Sequence, residues 1–356
     1  MRLQLRGALV LWVAGCGRAP PRPPRGEVSL HAGYYADNDH VSVWNPSLRA
    51  TVPLSRRVTA RAGYGLDIIS AASVDVVASA SRSRESRHES SGGLQVALGP
   101  RTSVGLIGRD SREPDYRSAG FAATLDHETE ARDRTLHIEL RGRRDRVGPG
   151  WTLQTPAALS TAALAGSFTQ VLDRRTLLRV GLQADALSGL QSSVYRYVPV
   201  GGRWFPERVP EDRVRGAVTV RVQRSLRPGL AASAEYGLTA DTWGLVAHAA
   251  EFGLRWEPTP WALLDLRARV LRQSATHFYQ GQYTTLTAWR TRDRLLGALA
   301  TVWPQASMRF VWPAWPTPPV WEVGLRATWM HQQFDDYDPL RSRDAGTGEV
   351  WVTRWF

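Results

Sequence analysis

The chain has 356 residues, 43% of them apolar, with 45 basic and 33 acidic side chains giving a formal charge of +12. Every basic residue is arginine, and the single cysteine, Cys16, excludes an internal disulfide and any multi-cysteine metal site. No stretch reaches the eighteen or so apolar residues of a membrane-spanning helix. The absence of helix-turn-helix, zinc-finger and RNA-binding motifs argues against nucleic acid as a partner.

The first segment, 1–16, carries Arg2 and Arg6, then the apolar run Ala8 to Val13, then Ala14-Gly15-Cys16. That order is expected of a secretory signal peptide, too short to span a bilayer. Val13-Ala14-Gly15-Cys16 resembles a lipobox, which makes Cys16 the lipidation candidate. Residues 17–26, rich in proline and arginine, read as a linker, and 27–356 as a single unit.

From Glu27 onward the apolar residues recur with a period of two. Val58, Ala60, Ala62, Tyr64, Leu66 and Ile68 share one face, against Thr59, Arg61, Gly63, Gly65 and Asp67. The split recurs at Val214 to Val222 and at Trp321 to Trp329. Period two predicts strands with one apolar and one polar face. Short polar breaks at Pro53–Arg57, Gly99–Thr102, Asp173–Arg175, Arg227–Gly229 and Glu257–Pro260 read as tight turns. Longer connections are expected at roughly 69–92, 143–161, 187–213, 273–294 and 333–348. Tight turns on one side and long loops on the other are the asymmetry of outer-membrane barrels.

This layout predicts an all-β, antiparallel up-and-down transmembrane β-barrel of about 16 strands (range 14–18), with short periplasmic turns and long outer loops. Trp256, Trp261, Trp312, Trp315 and Trp321 cluster near the turns, as an aromatic girdle would. The last strand closes on Phe356, which resembles the membrane-assembly signal read by the barrel-insertion machinery. Arg354, on the same face, departs from it. Arginines on the lipid face at mid-depth cost about 2–4 kcal/mol each, so most are expected to face the lumen or the interface. A soluble lipidated β-sandwich is the architectural alternative, which a continuous apolar outer belt would end.

Several segments are similar to a family of bacterial outer-membrane barrels known mainly as a domain of unknown function. They are Asp67-Ile68-Ile69-Ser70-Ala71-Ala72-Ser73 with Asp75-Val76-Val77, Arg87-His88-Glu89, and Ser111-Arg112-Glu113-Pro114-Asp115-Tyr116. Further along come Thr169-Gln170-Val171-Leu172-Asp173, Tyr195-Arg196-Tyr197-Val198-Pro199, and Arg272-Gln273-Ser274-Ala275 before Phe278-Tyr279. The resemblance implies a barrel and a cell outer-membrane location in a Gram-negative bacterium, and no activity.

Two constellations are candidates for a polar network in the lumen or at the outer mouth. One is Asp67, Asp75, Arg87, His88 and Glu89. The other is Asp241, His248, Glu251, Arg272 and His277. A histidine beside a carboxylate has the makings of a general base, but no Gly-x-Ser-x-Gly, His-Glu-x-x-His or nucleotide-binding loop accompanies either set. No catalytic residue, cofactor or metal is therefore assigned. Ala36-Asp37-Asn38-Asp39-His40 lacks the glycine and closing glutamate of a calcium loop and reads as a solvated turn. Asp335-Asp336-Tyr337-Asp338 has more acidic oxygens and is a candidate for weak divalent-cation binding, and His31, His127, His137 and His331 receive no role.

Three functions remain. The first is a pore or passive transport barrel for small, anionic solutes, since about 16 strands enclose water and arginine favours anions. The second is a structural or adhesive surface barrel with a plugged lumen. The third is a barrel-borne hydrolase. Expected partners are outer-membrane lipid, lipopolysaccharide and the barrel-assembly machinery.

Overall fold

The computed structural model describes residues 25–71, 83–147, 157–313 and 318–356. The signal segment, Cys16, Asp75 and Trp315 lie outside the described residues, as does all but the end of the linker. The strands in chain order are β1 (Glu27–Asp37), β2 (Val41–Pro53), β3 (Val58–Ala71), β4 (Ser83–Ala97), β5 (Thr102–Arg112), β6 (Tyr116–Glu128), β7 (Arg134–Val147), β8 (Ala157–Asp173) and β9 (Thr176–Gly189). A small hairpin follows, β10 (Tyr197–Val200) and β11 (Arg203–Pro206). Then come β12 (Asp212–Arg227), β13 (Leu230–Asp241), β14 (Val246–Thr259), β15 (Ala262–Gln273), β16 (Leu299–Trp312), β17 (Trp321–Phe334) and β18 (Ser342–Trp355).

All strands but β10 and β11 form one closed barrel, each paired antiparallel with its neighbours in sequence, and β1 closes on β18. That is 16 strands, as the alternation and turns predict. Strands about 4.8 Å apart and tilted by about 40° enclose a cylinder roughly 30 Å across between backbones. Both ends of the barrel domain lie at one rim, called here the turn end; the opposite rim is the loop end. Register shifts at Val171/Asp173, Ser225/Arg227 and Trp256/Thr259 all fall next to turn-end hairpins.

Period two has a direct consequence on the closed sheet. Leu30, Leu48, Leu94, Leu106, Phe121, Leu140, Leu164 and Leu182 project outward and are exposed. Val218, Phe252, Leu266, Val302, Leu325 and Val350 complete the circuit. Soluble monomers rarely expose apolar patches beyond a few hundred Å², so this unbroken belt overturns the β-sandwich alternative. At the turn end Trp256, Trp261, Trp312 and Trp321 face outward, and Trp261 stacks on Phe310 at 5.9 Å. Arg354, the residue that departs from the assembly signal, lies with its guanidinium 5.1 Å from the Trp321 ring centroid. Its stem covers apolar surface there while its charge stays at the rim.

One sequence expectation needs correction. The first long connection does not run over 69–92, because β4 begins at Ser83 and carries Arg87, His88 and Glu89 within a strand. Its outward residues Ser86, His88 and Ser90 are polar because that part of the strand stands above the apolar band. The alternation that marks a strand in lipid is therefore missing.

Inward residues pack closely at several points. Trp351 is buried inside the wall, and its indole Nε1 donates to Glu322 Oε1 at 2.8 Å. The ring lies flat against Gly324, where a methyl group would fall inside it. Gly324→Ala is expected to displace Trp351 at a cost of about 1–3 kcal/mol. A lowered temperature for loss of the compact, heat-modifiable band on cold electrophoresis would register this. An unchanged transition would show that the ring has room to move.

Candidate functional site

The barrel wall facing the lumen is charged on all sides, but its two halves differ. On β12–β18 the charges face one another in register. Arg221 lies 3.6 Å from Glu235 and 3.8 Å from Glu251, and Arg267 lies 3.6 Å from Glu251 and 2.6 Å from Asp265. Further round, Arg309 meets Glu322 at 3.5 Å and Arg326 meets Glu349 at 3.0 Å. Arg213 pairs with Asp241, and Arg215 reaches Asp185 on β9 at 3.5 Å. Arg269 instead rests on the Trp303 ring at 5.8 Å, and Arg343 donates to Gln332 at 2.7 Å. Most arginines of this half thus meet a carboxylate, Arg269 and Arg343 excepted.

The β2–β7 half is arranged otherwise. One cross-strand row runs Arg49, Gly63, Ser91, Arg109, Gly120, Arg143, each directly opposite the next. Arg61 lies one step toward the turn end, opposite Thr51 and Gly93. Of these arginines only Arg143 meets a carboxylate, Asp145, at 3.3 Å. Arg61 donates to the neutral Gln95 at 2.5 Å. Arg49 and Arg109 are exposed to the lumen and make no ion pair among the described residues. Glycine and serine between them leave the guanidiniums free to extend into the lumen. Lumenal arginines without a carboxylate partner among the described residues therefore include Arg49, Arg61 and Arg109 here, and Arg269 and Arg343 on the other half.

The two constellations singled out from the sequence are split by strand parity. In the first, Asp67 and Arg87 face the lumen as an ion pair, joined by Asn45, which donates to Asp67. Glu89 faces the lumen two residues further along β4. His88 does not join them: it faces outward, and its Nδ1 lies 2.7 Å from the Tyr64 hydroxyl. In the second, Asp241 and Glu251 face the lumen. Asp241 Oδ1 also accepts from the backbone N–H of Trp243 and Leu245 at 2.9 and 3.0 Å, fixing the β13–β14 turn. His248 faces outward, 2.6 Å from the Tyr236 hydroxyl. Arg272, also outward, pairs with Asp335, and His277 packs over Gly244 in the loop after β15. Neither His88 nor His248 shares a space with the carboxylates of its set.

The loop end carries a feature that sequence reasoning missed. The connections 190–211 and 274–298 fold into one body. Arg208 and Arg290 exchange backbone hydrogen bonds of 3.0 and 2.7 Å, and Val198, Val200 and Tyr283 form a buried apolar cluster. In the β10–β11 hairpin, Gly201 and Gly202 both take positive φ (56° and 77°), as a tight primed turn requires. The segment 335–341 joins the same body: Gly281 N donates to Asp336 at 2.9 Å and Gln282 to Asp338 at 2.8 Å. Arg294, at the start of a short 3-10 turn, is buried and donates to Asp39 Oδ2 at 2.5 Å. Asp39 is fully buried, so the turn after β1 is a socket for the loop and not the solvated turn expected. Asp37 shapes that socket by accepting from Asp39 N and Val41 N. Together these segments make a cap tied to the rim from β13 through β18 to β1 and β2.

Glu207 lies inside the cap. Its carboxylate accepts from Ser193 N at 2.5 Å, Thr291 Oγ1 at 2.5 Å and Arg196 at 3.0 Å. Burial pushes its pKa above the ordinary carboxylate value, with Arg196 opposing that shift and Asp293 adding to it. A carboxyl group whose folded-state pKa is raised holds the cap most firmly below the unfolded pKa. That contribution is lost as pH rises through the raised value. Segment 274–298 is therefore expected to show larger amide protection factors, with the intrinsic acceleration of exchange with pH divided out, in mildly acidic than in neutral buffer. Glu207→Gln should remove most of that difference, and an equal pH response in the variant would refute the assignment.

Comparison with known structures defines the class. The first similar fold is a "Bacterial polysaccharide outer membrane secretin", with TM-score 0.57 and 10% identity, covering 93% of this chain and 98% of that one. CdiB from Acinetobacter baumannii aligns with TM-score 0.53 and 7% identity over 93% of this chain and 60% of its own. At such identities the likeness concerns the fold, which is that of outer-membrane β-barrel proteins. Among curated proteins no relative matches. Residues 151–289 match the family described as "Protein of unknown function (DUF3570)", so the resemblance read from the sequence stands. That span contains the β10–β11 hairpin and much of the 274–298 segment.

Proposed function

We propose that this barrel sits in the outer membrane, loop end outward, and passes small anionic solutes through its lumen without catalysing a reaction. The observation that carries this reading is the group of lumenal arginines Arg49, Arg61 and Arg109, which meet no carboxylate among the described residues, opposite a wall on which most arginines do. Cations paired with carboxylates add little to the field along a pore, whereas unpaired ones set its sign. A water-filled lumen is expected at this strand number. Outer-membrane lipid and the barrel-assembly machinery, engaging β18, are the partners of this reading.

Proteoliposome efflux tests it. Vesicles loaded with a small anionic dye or a cationic dye of similar size should release the anionic one faster. Equal release, or faster cation release, would overturn the anion assignment. No release from correctly folded barrels would favour the second reading.

That second reading is a structural or adhesive surface barrel with a plugged lumen, and one observation favours it: the cap anchored by Arg294 in the Asp39 socket. The two readings separate on whether removing the cap is needed for flux.

A further inference from the structure

The outward face of β4–β7 at the loop end carries a row of arginines, with His88 at its edge, that the lumenal function does not use. His88, Arg112, Arg117 and Arg146 are direct cross-strand partners on four consecutive strands. Arg144 lies two residues down β7 on the same face. All five are exposed. Arg117, Arg144 and Arg146 make no ion pair or hydrogen bond among the described residues. Arg112 meets only Asp110, at 2.7 Å, and both side chains remain largely exposed. Asp115, in the turn above, makes no ion pair with any of them.

Like charges directly opposite one another destabilise strand pairing. Three arginines abreast, of which only Arg112 is in an ion pair among the described residues, therefore leave positive charge that an external anion can offset. The height of the row says which anion. On β7 the outward face is apolar from Leu136 to Leu140, followed by Gly142 and then Arg144 and Arg146. From Leu136 to Arg144 is about 26 Å along the strand, or roughly 20 Å of membrane depth after tilt, close to the height of a barrel's apolar band. The Tyr64 hydroxyl, bonded to His88, marks the same interface on β3. The arginines thus stand at headgroup level on the loop-end side. Elsewhere on the outward face of that side, Arg272 is already paired with Asp335.

We propose that this row, Arg112, Arg117, Arg144 and Arg146 flanked by His88, is a docking site for the phosphorylated sugar headgroup of an outer-leaflet glycolipid. Guanidinium forks bind phosphate oxygens in pairs. The apolar belt directly below receives the acyl chains, so headgroup and chains are held by one face. The site is independent of whether the lumen conducts.

The test is binding of purified bis-phosphorylated lipid A to the full-length barrel in detergent, read by native mass spectrometry. Dephosphorylated lipid A and inorganic phosphate provide the other arms. The expected result is retained bis-phosphorylated lipid A, on the order of tenfold less in R112S/R117S/R144S/R146S. Dephosphorylated lipid A should bind weakly, and inorganic phosphate should not compete. A control pair, R56S/R57S, removes charge from the turn-end hairpin and should leave binding unchanged. Should the fourfold variant fail to fold, R117S/R146S alone should still lower retention. Equal retention by the row variants, equal binding of dephosphorylated lipid, or equal loss in the control pair would overturn the proposal. Effective competition by inorganic phosphate would make it a free-anion site and overturn the lipid assignment.

Discussion

Replacing Arg49, Arg61 and Arg109 together with glutamine is expected to abolish the anion preference of the barrel while leaving its folding intact. None of the three holds a carboxylate partner, so their removal strands no buried charge. Glutamine keeps the length and a donor at each position, including the contact between position 61 and Gln95. A unit charge about 6 Å from a permeating ion in water contributes about 0.7 kcal/mol, or roughly threefold in relative permeability. Salt screens much of the sum, so the triple variant should shift the anion-to-cation permeability ratio by several-fold, more at low ionic strength than at high. The check is reversal potential at two salt concentrations. Replacing Arg221, Arg267 and Arg326 would be a poor substitute, because each leaves a lumenal carboxylate uncompensated. Those variants should lose folded yield instead.

The second large effect is expected at the cap. Arg294 and Asp39 are both almost wholly buried, 2% and 0% exposed at the side chain. Breaking such a pair by removing one partner costs about 3–5 kcal/mol, since the other charge stays buried without its counterpart. Arg294→Met should therefore release the 274–298 segment from the rim without unfolding the barrel, whose strand pairing it does not touch. Faster proteolytic cutting within 274–298 and an unchanged barrel melting transition would register this. Under the pore reading, conductance rises in the variant. Under the plugged reading, conductance appears only in the variant. Arg294→Met with Asp39→Asn should recover part of the protection, because the orphaned charge is gone. A cap as resistant in Arg294→Met as in the parent would show that the backbone exchange between Arg208 and Arg290 and the ties to Asp336 hold it alone.

Barrel topology was legible in the sequence because lipid imposes a strict rule on it. Every strand inside the bilayer must alternate, and hairpins at one rim are kept tight. Val214 to Val222 and the Arg227–Gly229 turn show both. The rule stops where lipid stops, which is why the start of β4 was lost: Ser86, His88 and Ser90 face outward above the apolar band. Parity alone would have separated His88 from Asp67 and His248 from Glu251, since odd and even positions on a strand face opposite ways. Pairings between strands were not legible. His137 lies 2.7 Å from Asp126 and His331 2.9 Å from Asp344, contacts that the sequence alone does not reveal. Such contacts depend on register, as does the row that sets Arg49, Gly63, Ser91 and Arg109 side by side. The cap was further from reach. Gly201-Gly202 between short apolar runs is a hairpin signal that sequence reading had available. Nothing near Asp39, however, announces an arginine 255 residues away.

The most direct test of the central claim is single-channel recording of the refolded, full-length barrel in a planar bilayer under a salt gradient. Steady current steps are expected, with a reversal potential on the anion side that collapses toward zero in the Arg49, Arg61 and Arg109 triple variant. Cation-selective steps, or a reversal potential that the triple variant leaves unmoved, would contradict it.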